Sequence, residues 1–332
     1  MEPHYIGVDL HKASFQACAL SATGARLWEE KFARTPAGVA AFAARQIRGA
    51  QVAVEATGPT WTFVDQLQAL ETHVCVVDTR KTKLKAGYPA KTDKLDARRL
   101  ADALRRASVV SIYIPPPAIR DLRELVRGRH HLVRVRARLM QTIHALLLRQ
   151  DAGDPPVTRL VSPRGLAWLE QHRLPGAAGD TLHRLRRALV ALDVEARAAQ
   201  AAVETRAAAD PIAVALTTLV GIGPVVALTL RAEIGTITRF RRWPELASYA
   251  GLVNGIDASA QRIRFGPITR QGSPWLRWAL VEAAIHAMRR PDGTGRWARR
   301  LAGRISICPA RVALARVLCR DVVRVWRTVE SG

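Results

Sequence analysis

Four carboxylates in the first third of the chain, Asp9, Glu55, Asp93 and Asp96, have the types and spacing of a divalent-metal site. Asp9 ends the apolar run Tyr5-Ile6-Gly7-Val8, and Glu55 ends a second run, Gln51-Val52-Ala53-Val54. Were these runs neighbouring strands, both carboxylates would emerge at one edge of a sheet. Asp93 and Asp96 are three apart on a helical pattern, which puts their Cβ atoms about 5–6 Å apart on one face. Carboxylates crowded in this way repel, and their pKa values rise unless a cation neutralises them. Two Mg²⁺ ions about 3.5–4 Å apart, with Mn²⁺ as a substitute, would do so and would serve the attacking and leaving oxygens of a phosphodiester. Each acid also has an ordinary reading. Asp9 could cap a turn, Asp93 could N-cap its helix, and Asp96 could pair with Arg99 or Lys94. Asp65, Asp78 and Asp102 read as surface or capping residues. The order of the four acids on matching elements carries the argument, and no single member does.

The remainder of the chain is basic. Its 332 residues hold 51 Lys+Arg against 28 Asp+Glu, a formal charge of +23. Such an excess attracts polyanions and makes their binding salt-dependent through counterion release. A hydrophobic fraction of 48% excludes global disorder. The four cysteines, Cys18, Cys75, Cys308 and Cys319, form no CxxC pair, so they read as small core residues and not as a zinc site. No run is apolar enough to span a membrane, and the chain opens directly into a strand with no signal peptide, which points to the cytoplasm.

The elements that must position the acids follow from periodicity. Strands are expected at Tyr5–Asp9, Phe15–Leu20, Leu27–Phe32, Gln51–Glu55 and His73–Val77, the first three as an antiparallel meander. Helices are expected from Thr35 to about Gln46, over Trp61–Leu70 and over Lys91–Arg106. The order β-β-β-α-β-α-β-α predicts an α/β domain with a mixed sheet over residues 1–115. Residues 116–209 carry two long helical patterns, about Ile119–Gln150 and Thr181–Ala209, around a looser segment. They read equally as an antiparallel arm or as two bundle helices. Residues 210–332 read as a separate, mostly α-helical domain, with helices at Val225–Ile234, Phe240–Tyr249, Pro274–Arg289 and Ala310–Val329. Gly251 to Gly272 lacks periodicity. Trp275, Trp278 and Trp297 read as core.

Three motifs, Ile6-Gly7-Val8-Asp9-Leu10-His11-Lys12, Val54-Glu55-Ala56-Thr57-Gly58 and Lys91-Thr92-Asp93-Lys94-Leu95-Asp96-Ala97, resemble those of the DEDD transposases of the insertion-sequence family one-ten. That family includes the Piv-type DNA invertases. Gly221-Ile222-Gly223-Pro224, Tyr249-Ala250-Gly251-Leu252-Val253, Ile268-Thr269-Arg270-Gln271-Gly272 and Leu276-Arg277 resemble its C-terminal transposase domain. The resemblance implies a ribonuclease H-like (RuvC-like) first domain and a catalytic serine after Gly-Leu-Val. Ser259 occupies that place, with Ala260 and Asn254 where members show glycine and proline. Read without the resemblance, Ser259 is a solvated loop residue.

The resemblance implies strand exchange through a serine–DNA link, which keeps the chemical potential of the phosphodiester, on donor and target DNA. It also implies a noncoding bridge RNA whose base pairing reads sequence. A synapse of two duplexes implies a dimer or tetramer at the nucleoid, with Ser259 acting in cis or in trans. Lys81, Lys83, Lys85 and Lys91 form a basic track beside the acidic helix, or a solvated loop. Arg262, Arg264 and Arg270 hold the scissile phosphate or make nonspecific backbone contacts. His11 and Lys12 follow Asp9 without an assigned step. The competing readings are a hydrolytic junction resolvase, which needs only water as nucleophile, and a non-catalytic nucleic-acid-binding protein.

Overall fold

Short apolar runs at the N-terminal end of the chain assemble into a six-stranded sheet. Its strands are β1 (Tyr5–Leu10), β2 (Ser14–Leu20), β3 (Arg26–Ala33), β4 (Gln51–Glu55), β5 (His73–Val77) and β6 (Ser111–Ile112). They lie in the order β3-β2-β1-β4-β5-β6. The computed structural model describes residues 4–79, 81–82, 92–259 and 262–331, with backbone alone for the described positions among 256–265. Contacts divide the chain into two compact units, Met1–Ile114 and Pro115–Gly332.

In the first unit β1, β2 and β3 form the expected antiparallel meander, and β4 and β5 run parallel to β1. The two-residue strand β6, antiparallel to β5, is too short to leave a periodic signal. Side chains alternate across β1. Ile6, Val8 and Leu10 join Phe15, Phe42, Phe63 and Leu67 in a core covered by α1 (Pro36–Ala43) and α2 (Thr60–Ala69). Gly7 and Asp9 therefore face the other side, under α3 (Asp93–Arg105). A Cβ on Gly7 would sit 2.0 Å from the Ala97 carbonyl oxygen and 2.4 Å from the Ala101 nitrogen. Only glycine lets α3 lie this close over β1, and that approach brings the first turn of α3 to Asp9. Ala97, Leu100, Ala101 and Leu104 bury the same face of the helix.

The second unit begins with α4 (Pro117–Arg149) and α6 (Gly176–Ala208), each 33 residues long. They are antiparallel. Ile119, Leu122 and Val126 at the start of α4 share a core with Val203 and Ala207 at the end of α6. Ile143, Leu146 and Leu147 share another with Leu182, Leu189 and Leu169 of α5 (Pro163–Gln171). The looser segment between the long helices thus holds a helix of its own, N-capped by Ser162.

The first of these cores joins α4 and α6 to α7 (Pro211–Leu216), α8 (Pro224–Ile234), α9 (Trp243–Tyr249), α10 (Pro274–Met288), α11 (Gly293–Ile305) and α12 (Ile307–Ser331). The helix expected from Phe240 starts instead at Trp243, after a 3-10 turn at Ile237–Arg239. The expectation of four core cysteines needs correction. Cys18 and Cys319 are buried, Cys75 is half-buried and Cys308 is exposed near the start of α12. Trp297, expected in the core, is 42% exposed on the solvent side of α11.

His130 on α4 is buried between the rings of Trp275 and Trp278, with centroid separations of 5.2 and 4.0 Å. Burial, reinforced by Arg129 and opposed by Glu233, pulls its pKa down to about 4 from the ordinary 6.5. The unfolded chain therefore takes up this proton first as pH falls, so stability drops from the ordinary histidine value down through about 4. By linkage, this residue costs the second unit about 2 kcal/mol between about pH 8 and about pH 5. Urea titrations at the two pH values should show that loss in the parent and a clearly smaller one in His130→Gln. Equal losses would mean that other groups set the acid sensitivity.

Candidate active site

Asp9 and Glu55 come to one edge of the sheet through strand pairing. Val8 pairs with Val54 in the parallel β1–β4 ladder, so the next residue on each strand is an acid. Asp93 and Asp96 occupy the first turn of α3. Thr92, and not Asp93, is the N-cap of that helix: its hydroxyl accepts from the Leu95 N–H at 3.3 Å. The Asp93 carboxylate is thereby left to face β1.

Asp9, His11 and Asp93 meet, each offering a ligand atom within 4.8 Å of the others. The His11 Nε2 lies 3.2 Å from Asp9 Oδ2 and 3.3 Å from Asp93 Oδ2. Lys31 reaches Asp93 at 3.9 Å. Asp9 is buried, whereas Asp93 is about half exposed. Burial pushes the Asp9 carboxyl above the ordinary range, His11 pulls it back, and Asp93, Asp96 and Glu55 push it up further. Glu55 and Asp96 are thus close enough to act on the charge of Asp9, although their own contacts point elsewhere. Glu55 Oε1 accepts from the Thr79 hydroxyl at 3.0 Å, and Asp96 pairs with Arg99 at 3.4 Å. Asp102 pairs with Arg105 and Arg106, and Asp78 accepts from the Lys81 backbone N–H, as a surface or capping role requires.

The donor set fits a divalent cation. Carboxylate oxygens suit Mg²⁺, and the His11 imidazole makes Mn²⁺ at least as suitable. Gln16, the cross-strand partner of Asp9, shares its face of the sheet. Its Nε2 is buried with no hydrogen-bond partner, so there is an unmet polar group beside the acids. His11 was legible only as a neighbour of Asp9, because nothing in its spacing shows that the chain turns back beyond the end of β1.

In the second unit, the stretch that reads as aperiodic is a β-hairpin, β7 (Asn254–Ser259) paired with β8 (Arg262–Ile268). Ile256-Asp257-Ala258 and Arg262-Ile263-Arg264 do alternate, but Gly255, Gly266 and Pro267 mask the pattern. Ser259 ends β7 and pairs in register with Arg262, while Arg264 pairs with Asp257. The side chains of Ser259, Arg262 and Arg264 lie outside the description, as do Lys83, Lys85 and Lys91. Lys81 is exposed and lies 3.9 Å from Asp78. Arg270 is exposed, with φ +53°.

The base of the hairpin is fixed by the motifs that flank it. A Cβ on Gly272 would lie 2.0 Å from the Tyr249 carbonyl oxygen, so the two ends of the segment meet only through glycine. Arg277 donates to the Ala250 and Arg270 carbonyls, both at 3.2 Å. Ser273 N-caps α10 and donates to Glu233, which also receives two bonds from Arg127.

A mixed sheet with an acidic, metal-competent edge defines a protein that can hold divalent cations. Its charge balance suits a nucleic-acid backbone. A family model described as "Transposase", of the DEDD IS110 type, matches residues 6–150. A second, described as "Transposase IS116/IS110/IS902 family", matches residues 213–299. The chain is 26% identical over 291 residues to a "Probable family 20 transposase" of Pseudomonas aeruginosa, covering 85% of this chain and 84% of the relative. It is 26% identical over 326 residues to the "Transposase for insertion sequence element IS1111A" of Coxiella burnetii, covering 93% and 86%. To the "Transposase for insertion sequence element IS1328" of Yersinia enterocolitica it is 25% identical, covering 73% and 72%. The chain belongs to the IS110-family transposases. Among the described residues, no helix is long and apolar enough to cross a membrane.

Proposed function

We propose that this transposase cuts and rejoins DNA through a serine–DNA covalent intermediate, with Asp9, Glu55, Asp93 and Asp96 holding Mg²⁺ in a ribonuclease H-like first domain. The observation that carries the reading is the meeting of Asp9, His11 and Asp93 at the sheet edge, with Glu55 and Asp96 acting on the same charge. The sheet order, with β1 between an antiparallel meander and two parallel strands, is the frame such a site requires. Bound there, Mg²⁺ supplies Lewis-acid stabilisation of the phosphoryl oxygens and lowers the cost of ionising a hydroxyl.

The protein's own residues do the rest. Buried Asp9 is the fixed anchor of the cluster, and half-exposed Asp93 opens it towards substrate. His11, in contact with both carboxylates, positions them. The Ser259 hydroxyl attacks phosphorus: the Oγ–P bond forms, the strand's P–O bond breaks, the hydroxyl proton passes to a base and the departing strand oxygen takes up a proton. A new strand end then reverses the exchange at the same phosphorus with no ATP. Serine oxygen is a weak nucleophile unless activated, so the Ser259 hydroxyl needs a base or a metal ion to ionise it, in cis or in trans. Donor and target DNA, a guiding bridge RNA, a dimer or tetramer and a cytoplasmic, nucleoid-associated setting complete the reading. Exposed Val135, Val190 and Val194 on the long helices supply apolar surface for self-association. The arginines at 262, 264 and 270 and the lysines at 81, 83, 85 and 91 are proposed phosphate contacts.

The test is a covalent-adduct assay. The protein is co-expressed with the noncoding DNA flanking its gene, supplied with donor and target DNA in Mg²⁺, and denatured. Protein-linked DNA is expected from the parent and none from Ser259→Ala or Asp9→Ala. Cleavage that persists in Ser259→Ala without an adduct would identify a hydrolytic nuclease. Salt-sensitive binding with no cleavage in Mg²⁺ or Mn²⁺ would identify a binding protein.

A further inference from the structure

One groove of the second unit is used by neither the acidic site nor the serine hairpin. It has a volume of about 640 Å³ and lies between the start of α9 and the outer face of α12. Trp243, Pro244 and Val323 give it an apolar floor, and Arg241, Arg242, Arg320, Arg324 and Arg327 stand around it. Arg320, Arg324 and Arg327 recur at helical spacing along α12, so they share one face. Arg327 donates to the Phe240 and Arg241 carbonyls at 2.7 and 2.9 Å and so ties the segment before α9 to α12.

The local charge is poorly balanced. Arg320 and Arg324 share a single carboxylate, Asp321, at 3.2 and 3.7 Å. Glu245, the acid closest in sequence to Arg241 and Arg242, accepts the Arg241 backbone N–H at 2.8 Å. Among the described residues, neither the Arg241 nor the Arg242 guanidinium has a carboxylate partner. An exposed cluster of uncompensated guanidiniums beside an aromatic floor matches two features of one ligand, a row of phosphates and flat apolar rings. Inorganic phosphate would leave the floor unused. A duplex keeps its base faces stacked on one another and cannot offer them to Trp243.

We propose that this groove binds an unpaired nucleic-acid segment, with bases resting on Trp243 and Pro244 and phosphates held by the arginines on both walls. The proposal rests on the reading of this protein as one that handles nucleic acid. It adds a site lined by neither the acids nor the serine hairpin, and it predicts that unpaired strands are held there with no divalent metal present.

The test uses the full chain in EDTA with fluorescently labelled oligonucleotides of one sequence: single-stranded DNA, single-stranded RNA, duplex DNA and an abasic single strand. Anisotropy is followed over a salt series. The parent should bind the unpaired strand at least ~5-fold more tightly than the abasic one, the lower end expected for one stacked base. Arg241→Ser/Arg242→Ser, and separately Arg320→Ser on the other wall, should weaken unpaired strands while leaving the melting temperature unchanged. Loss of two phosphate contacts should reduce the salt slope of the double variant by about 1.4. Whichever of DNA and RNA loses more affinity is the strand the groove serves.

Variants that bind unpaired strands with the parent's affinity and slope would overturn the proposal. So would an abasic strand held as tightly as the intact one, or poly-glutamate displacing the strand at equal charge concentration. In each of those cases the parent still binds nucleic acid, and only the groove is lost. A parent that binds no oligonucleotide at all overturns the wider functional reading as well.

Discussion

Asp9→Asn should remove the response of the protein to divalent metal while leaving the fold intact. Asp9 is the buried member of the cluster, and it sits among Asp93, Asp96 and Glu55 with His11 as its nearest compensating group. The amide keeps the shape of the side chain and removes the charge that repels the other acids, so the metal-free variant should melt no lower than the parent. Binding to the folded state alone adds ~2.7 kcal/mol when free metal is about 100 times Kd. Thermal melts with and without Mn²⁺ should therefore show a clear upward shift in the parent and none in the variant. Strand cleavage should fall by roughly 10²–10³-fold or more, as when a group stabilising developing charge is removed. An undiminished Mn²⁺ shift in Asp9→Asn would place the ion away from these acids and sink the metal-site reading. Because the melt needs no DNA, it separates the metal question from the serine question.

Glu233→Ala should produce the largest loss of stability. Glu233 is 1% exposed, in the apolar middle of the second unit. It accepts from Arg127 Nε at 2.8 Å and Nη2 at 3.1 Å, and from the Ser273 hydroxyl at 2.9 Å. These bonds tie α4, α8 and α10 together at one point, and Arg123 adds bonds to the Ala232 and Glu233 carbonyls. Removing one partner of a buried ion pair typically costs ~3–5 kcal/mol, because the other charge is left uncompensated. Arg127 keeps some access to water, so the expected loss is at the lower end, about 3 kcal/mol. Glu233→Gln keeps the shape and some of the bonds, and should lose about half as much. Urea denaturation followed by circular dichroism measures both. A loss below about 1 kcal/mol in Glu233→Ala would mean that the pair contributes little beyond packing. Ser273 follows the Gln271-Gly272 segment at the base of the serine hairpin, so the alanine variant should also impair strand transfer at temperatures where it remains folded.

How far the sequence could be read depends on the range of the interaction involved. Period-two and period-3.6 patterning fixed the five main strands, the long helices and the sheet edge that carries Asp9 and Glu55, because burial of one face is a local constraint written into neighbouring residues. The acids on α3 were legible for the same reason: three-residue spacing on a helix leaves little choice of face. The hairpin that ends in Ser259 was not legible as strands, because Gly255, Gly266 and Pro267 interrupt a short alternation that cross-strand bonds complete. Helices α5, α7 and α11 were hidden by their length or by glycines near their starts, and packing against longer neighbours makes up what local propensity lacks.

Other features exist only in three dimensions. Gly7 reads as an ordinary strand glycine until α3 is seen lying on it. The capping role passed from Asp93 to Thr92, which freed a carboxylate for the cluster. His11 joined that cluster by a turn of the chain, and Glu233, one of two charges in an otherwise apolar helix, found Arg127 more than a hundred residues away. The sequence by itself determined the five main strands, the long helices, the acidic edge and the basic balance, since these follow from the order of residue types. Tertiary structure alone decided which charges meet, because a contact between distant residues depends on how close two backbones can come.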